Sequence, residues 1–194
     1  MMAEAWGKIT GEPGICFVTR GPGAANAMSG LHVAKQDSTP MLTFVGMPAR
    51  EHEDREAFQE MEIKQVFSSV VKWAAVIRQT ERIPEYVSKA FHAARSGRPG
   101  PVVLGLPEDM LAAECEAADA KPARIAEPHP GAADLALLQD KLSHASRPLM
   151  IIGGPGWSIA TQKAIEAFAD RFDLPVAPAF RYQDYIDKDR KSVV

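Results

Sequence analysis

The sequence predicts an α/β fold: a parallel sheet flanked by helices, followed by an incomplete second α/β domain. Three observations predict it. Short apolar runs alternate with stretches whose apolar residues recur at helical spacing. One run, Val102-Val103-Leu104-Gly105-Leu106, is apolar without alternation, as expected of a strand covered on both faces. Repeated strand-then-helix units favour a mostly parallel sheet.

Each element has a local reason. Met1 to Thr10 reads as the end of a helix, with Gly11 as its stop. Gly14 to Thr19 reads as a short buried strand, and Arg20-Gly21-Pro22-Gly23 as the turn after it. Ala24 to Gln36 carries Met28, Leu31 and Ala34 at helical spacing, and Met41 to Gly46 is the next strand. The stretch from Met47 to Glu60 is polar and irregular, with seven acidic or basic residues between Arg50 and Glu56. A charge run is usually a solvated surface, but this one follows a strand, where the active-site loops of α/β proteins sit. Lys72 to Ile77 reads as a strand and Ile83 to Ser96 as a helix with Pro84 in its first turn. Val87, Ala90, Phe91 and Ala94 mark its buried stripe, and Gly97 ends it.

Composition changes after Leu111, where Ala, Glu, Asp and Pro dominate without apolar periodicity. This gives a first domain over 1–112, a linker over 113–130 and the start of a second domain over 131–188. In the second domain Leu135, Leu138 and Leu142 mark one helix, Leu149 to Ile152 a strand, Ile159 to Phe172 another helix, and Pro175-Val176-Ala177 the next strand. Residues 189–194 read as a non-native read-through tail, which also accounts for the abrupt end of the second domain. The first helix begins in mid-pattern, without a cap.

The 194 residues are 46% hydrophobic and 24% charged, enough to bury a core. A net charge of −3 offers no electrostatic footprint for nucleic acid or an anionic membrane. No apolar stretch is long enough to span a bilayer, and the first residues do not have the form of a signal peptide. Cys16 and Cys115 cannot build a disulfide scaffold, and no Cys/His cluster suggests zinc. The expected setting is the cytoplasm. Cys16 reads as inert core, and Trp6, Trp73 and Trp157 as packing residues. The five histidines are scattered and form no nucleophile constellation.

Three segments have chemistry to offer, and each has a plain alternative. Arg20-Gly-Pro-Gly-Ala-Ala-Asn26 lies between a strand and a helix, where glycines let backbone approach a ligand and the helix offers free N–H groups. A structural tight turn fits that pattern equally well. Ala57-Phe58-Gln59-Glu60 offers an aromatic and an amide to a small polar substrate, or a staple and capping pair at a helix start. Arg98, the only charge in Ser96-Gly-Arg-Pro-Gly-Pro101, offers a phosphate partner, or is simply solvated.

The order of the segments is far more specific than any one of them. Thr10-Gly-Glu-Pro-Gly-Ile-Cys-Phe-Val-Thr19, Gly21-Pro-Gly-Ala-Ala-Asn26, Gln36-Asp-Ser-Thr-Pro40, Ala57-Phe-Gln-Glu60, Gly97-Arg-Pro-Gly-Pro-Val-Val103 and Leu106-Pro-Glu-Asp109 together resemble the thiamine-diphosphate enzymes of the acetolactate synthase type. The resemblance covers residues 1 to 188. It implies a pyrimidine-binding domain lacking its first elements, then the start of the central domain. In this family thiamine diphosphate lies between subunits, so the resemblance implies a homodimer or homotetramer. The reaction it implies is decarboxylation of a 2-oxo acid such as pyruvate, followed by carboligation to a second carbonyl. The cofactor supplies the electron sink, and the protein supplies orientation, a proton relay and exclusion of water.

The resemblance also assigns residues. Pro22, Gly23 and Asn26 match positions lining the pyrimidine pocket. Gln59 matches a position reaching toward cofactor and substrate, and Phe58 an aromatic wall of the substrate channel. Arg98 matches a position that contacts FAD in acetolactate synthases, and Gly153 and Gly154 the start of a flavin-binding glycine segment. The family's catalytic glutamate would lie before Met1, and Glu4 does not take its role. The Mg2+ ligands belong to a C-terminal domain. The implied state is therefore a fragment, inactive by itself. Arg20 and Met47 replace a Ser and a Gln common in true synthases, and Phe180-Arg-Tyr-Gln-Asp184 departs from the synthase pattern, which leaves the substrate and FAD open. The alternative is a nucleotide- or CoA-binding α/β module without thiamine chemistry.

Overall fold

The computed structural model describes residues 1–189 and Val193. The rest of the expected tail, 190–192 and 194, lies outside the described residues. The chain divides into two compact units, Met1–Ala126 and Glu127–Val194.

The first unit is organised by two long apolar strands, β2 (Met41–Met47) and β4 (Pro101–Pro107), which pair in parallel at the centre of a sheet. Every residue of β4 is buried, as an unalternating apolar run requires. The shorter strands β1 (Gly14–Val18) and β3 (Trp73–Val76) flank them, giving the order β1-β2-β4-β3, all parallel.

Alternation along the strands sends side chains to two cores. On one side Met41, Val45, Met47 and Val103 pack with Leu31 and Ala34 of α2 (Pro22–Asp37) and with Ile63 and Phe67 of α3 (Ile63–Phe67). On the other, Leu42, Phe44, Val102 and Leu104 pack with Ala90 and Ala94 of α4 (Ile83–Arg95) and Met110 of α5 (Glu108–Ala112). The predicted α4 stripe thus enters the core. The first helix, α1 (Met2–Thr10), ends at Gly11 in the left-handed region, φ 73°, as its sequence predicts.

Three expectations need correction. The strand at 14–18 is not buried: Ile15 is 52% and Phe17 71% exposed, because β1 is the sheet edge and only one of its faces is well covered. Phe17 is left stacked on Phe44, centroids 4.6 Å apart. Pro22 and Gly23 do not belong to the turn; they begin α2, since proline presets the helical φ and needs no amide partner in the first turn. Trp6 is 58% exposed rather than packed, whereas Trp73 stacks on Tyr86.

The second unit pairs β5 (Met150–Ile152) with β6 (Val176–Pro178) in parallel, with helices α6 (Ala132–His144) and α7 (Ile159–Phe172). Ser158 caps α7 by accepting from the Thr161 amide at 3.1 Å. Its core is small: Ile152, Ala169, Leu174, Val176 and Ile186, with Trp157 against Tyr185. Leu135, Leu138, Leu142, Phe168 and Phe172 line an open apolar groove of about 590 Å³.

Candidate functional site

In a parallel sheet the loops that follow the strands gather at the carboxyl edge, and ligands bind there. Here that edge collects the segments after β1, β2, β3 and β4. Ion pairs tie them together. Arg20, after β1, donates to Glu108 at the start of α5, 2.9 Å. Arg50, after β2, donates its backbone N–H (3.0 Å) and its Nε (2.7 Å) to the two oxygens of Asp109. Arg50 also donates to the Arg78 carbonyl after β3, and Arg78 pairs with Glu53. The Arg50 backbone N–H, and then its guanidinium, hold the Asp109 carboxyl below the usual carboxylate range.

Two of the three segments singled out by sequence meet on this edge. Gly21 has φ 57° and ψ −116°, and α2 starts directly after it. A Cβ added at Gly21 would lie 2.7 Å from Gln59 Cβ and 3.1 Å from the Gln59 carbonyl oxygen. The glycine is therefore required twice, by its backbone angles and by the backbone packed against it. A Cβ at Gly23 would lie 2.7 Å from Thr19 Cγ2, so the start of the helix is also tightly fitted to the end of β1.

Gln59 approaches from a loop of unusual backbone. Asp54, Glu56 and Gln59 have φ of 61°, 53° and 60°, all in the left-handed region. The Glu60 carboxylate accepts from the Asp54 and Ala57 amides at 2.8 and 2.9 Å. The capping chemistry expected of 57–60 is present, but it closes this loop rather than starting a helix, and α3 begins at Ile63.

The side chains left available here are of the expected kind. Phe58 is 81% exposed, Gln59 is half-buried, and Pro22 and Asn26 are exposed on the first turns of α2. Such a set offers an aromatic wall and two amides beside a helix start. Among the described residues no group of three or more His, Cys, Asp or Glu could hold a metal ion.

Arg98 does not join this group. It lies before β4, at the amino edge of the sheet, with Ser38 before β2. Its Nε donates to the buried Ser38 hydroxyl at 2.7 Å, and one terminal nitrogen donates to the Lys35 and Gln36 carbonyls at 3.4 and 3.3 Å. Both carbonyls lie in the last turn of α2, and the Lys35 carbonyl also accepts from the Ser38 amide at 3.4 Å. In the second unit, a Cβ at Gly153 would meet Ala179 at 3.0 Å and the Tyr182 ring at 3.3 Å, and Gly154 has φ 84°. Tight packing and backbone angle account for both glycines.

Sequence reasoning missed Glu60 as more than a cap, and it missed the Arg20, Arg50 and Arg78 clasps. The charge run 50–56 holds one partner of two of these clasps, Arg50 and Glu53, and neither partner of the Arg20 clasp.

Residues 1–66 match the family described as thiamine pyrophosphate enzyme, N-terminal TPP binding domain. That span contains both segments that meet at Gly21 and Gln59, and it excludes Arg98. The chain is 32% identical over 193 residues to the acetolactate synthase large subunit of Parasynechococcus marenigrum (strain WH8102), covering 96% of this chain and 31% of that protein. It is 31% identical over 195 residues to the acetolactate synthase of Arthrospira platensis, covering 96% and 33%. With the acetolactate synthase isozyme 3 large subunit of Escherichia coli (strain K12) it is 34% identical over 183 residues, covering 90% and 32%. The chain thus spans about a third of the length of the curated relatives it matches.

Proposed function

We infer that this chain, which belongs to the thiamine-diphosphate enzymes of the acetolactate synthase type, forms the pyrimidine-side wall of a thiamine diphosphate cleft. The observation that carries this reading is the close approach of Gly21 and Gln59, which brings the start of α2 and the Phe58-Gln59 loop to one edge of the sheet. Asn26 and Gln59 would hydrogen-bond the aminopyrimidine, Pro22 and Gly23 would pack along it, and Phe58 would wall the space for substrate. When bound, thiamine diphosphate supplies the electron sink for decarboxylation of a 2-oxo acid. This chain's residues fix the ring's position and exclude water around it.

The same reading takes pyruvate or a related 2-oxo acid as substrate, with carboligation to a second carbonyl as the outcome. It assigns the catalytic glutamate and the Mg2+ ligands to positions outside these 194 residues. It places the cleft between subunits of a homodimer or homotetramer, in a reducing, cytoplasmic setting consistent with the free thiols of Cys16 and Cys115. The Arg98 guanidinium already serves the end of α2, which argues against its holding FAD.

Equilibrium dialysis tests the reading with thiamine and thiamine diphosphate, each with Mg2+, against ATP and coenzyme A. Saturable thiamine binding that weakens in Gln59→Ala and Asn26→Ala is the expected result. Retention of ATP or coenzyme A with none of thiamine would replace this reading with the nucleotide-binding alternative.

A further inference from the structure

We propose that Glu60 is a positioning residue of this site, a latch that fixes Gln59 against Gly21; the inference rests on the thiamine reading above. Three observations carry it. First, Asp54, Glu56 and Gln59 all hold left-handed backbone that side-chain-bearing residues adopt only when something compensates. Second, the Glu60 carboxylate bridges that stretch, one oxygen accepting from the Asp54 amide and the other from the Ala57 amide, while the Glu60 amide donates to the Ala57 carbonyl at 2.9 Å. Third, the loop so closed meets the start of α2 at Gln59 on Gly21, where there is no room for a Cβ.

The two-oxygen bridge explains why the residue is Glu. A carboxylate accepts from two separate amides at once, whereas an amide side chain offers one acceptor oxygen and turns its NH2 toward the other donor. Glu60 makes no claim on substrate or cofactor. It acts through the backbone, by removing the freedom that would let Gln59 leave the wall.

Exchange is measured on the 194-residue chain, and thiamine diphosphate affinity, with Mg2+, on the full-length protein carrying the same substitutions. Amide hydrogen exchange at Asp54 and Ala57 is followed by NMR in the wild type, Glu60→Gln, Glu60→Ala and the double variant Glu60→Ala/Glu56→Gly. Exchange at both amides is expected to rise about tenfold in Glu60→Ala and less in Glu60→Gln. The thiamine diphosphate dissociation constant should rise in the same order. Adding Glu56→Gly, which removes one left-handed cost, should recover part of both effects. Unchanged exchange in Glu60→Ala overturns the latch. Faster exchange with unchanged thiamine diphosphate affinity overturns the positioning role and leaves the thiamine reading intact. A wild-type full-length protein that binds no thiamine diphosphate, while exchange still responds to Glu60, overturns the reading beneath and the positioning role with it. Should Glu60→Ala fail to fold, Glu60→Gln alone decides by the same two measurements.

Discussion

The two edges of the first sheet use polar groups in opposite ways. At the amino edge Arg98 is spent on structure: its donors go to Ser38 and to the last carbonyls of α2. At the carboxyl edge the arginines bind the loops to one another, and Pro22, Asn26, Phe58 and Gln59 remain exposed or half-buried. The same helix joins the two edges, with Pro22 and Asn26 exposed at one end and Arg98 on its carbonyls at the other.

Substitution sharpens this contrast, and the largest effect belongs to Gly21. Gly21→Ala places a Cβ within 2.7 Å of Gln59 Cβ and forces φ 57° on a residue with a side chain. Urea unfolding should show a loss of about 2–3 kcal/mol together with loss of thiamine binding. Arg98→Ala comes next. It removes one donor each from the Ser38 hydroxyl and two helix-end carbonyls, for an expected loss of about 1–2 kcal/mol in the same measurement. Thiamine affinity should not change; if it falls as stability falls, the two edges are not separable and the comparison fails.

Gln59→Ala should do the reverse. Stability is expected to stay within about 0.5 kcal/mol, while calorimetric titration with thiamine shows clear weakening. The smallest effect is electrostatic. Asp109 has its folded-state pKa depressed by Arg50, so its contribution is present above the ordinary carboxylate value and is lost as pH falls through the depressed one. A carbon-detected NMR titration should give Asp109 a midpoint below that of an unpaired aspartate, moving upward in Arg50→Gln. An unmoved midpoint would mean that the Arg50 side chain does not contribute to the clasp.

Much of this was legible from the residues alone, for identifiable reasons. Val102 to Leu106 reads as a strand covered on both sides because its apolar run does not alternate, and the stripe Val87, Ala90, Phe91, Ala94 faces a core because of its helical spacing. The exposure of Ile15 and Phe17 was not legible, because strand order decides which strand stands at the edge, and strand order is not written in any single strand. The start of α2 was misplaced by two residues because Pro22-Gly23 satisfies a turn and a helix start equally well. At the candidate site, the residue types at 20–26 and 57–60 could be read, but not that Gly21 touches Gln59. Nor could the partner of Arg98 be read, since Ser38 lies sixty positions away. Contacts of that separation come from the closed sheet and leave no local pattern.

The central pairing of β2 with β4 has a further consequence, for the time course of folding. Its register matches Met41 to Pro101 and Met47 to Pro107, with β3 and α4 falling between them in the chain. Loop-closure entropy makes such a distant pairing slow to nucleate. During synthesis, β1 and β2 leave the ribosome well before the strand that completes their sheet, and they must wait with apolar flanks bare. Newly made chain is therefore most prone to self-association, and most in need of a chaperone, until residue 107 has emerged.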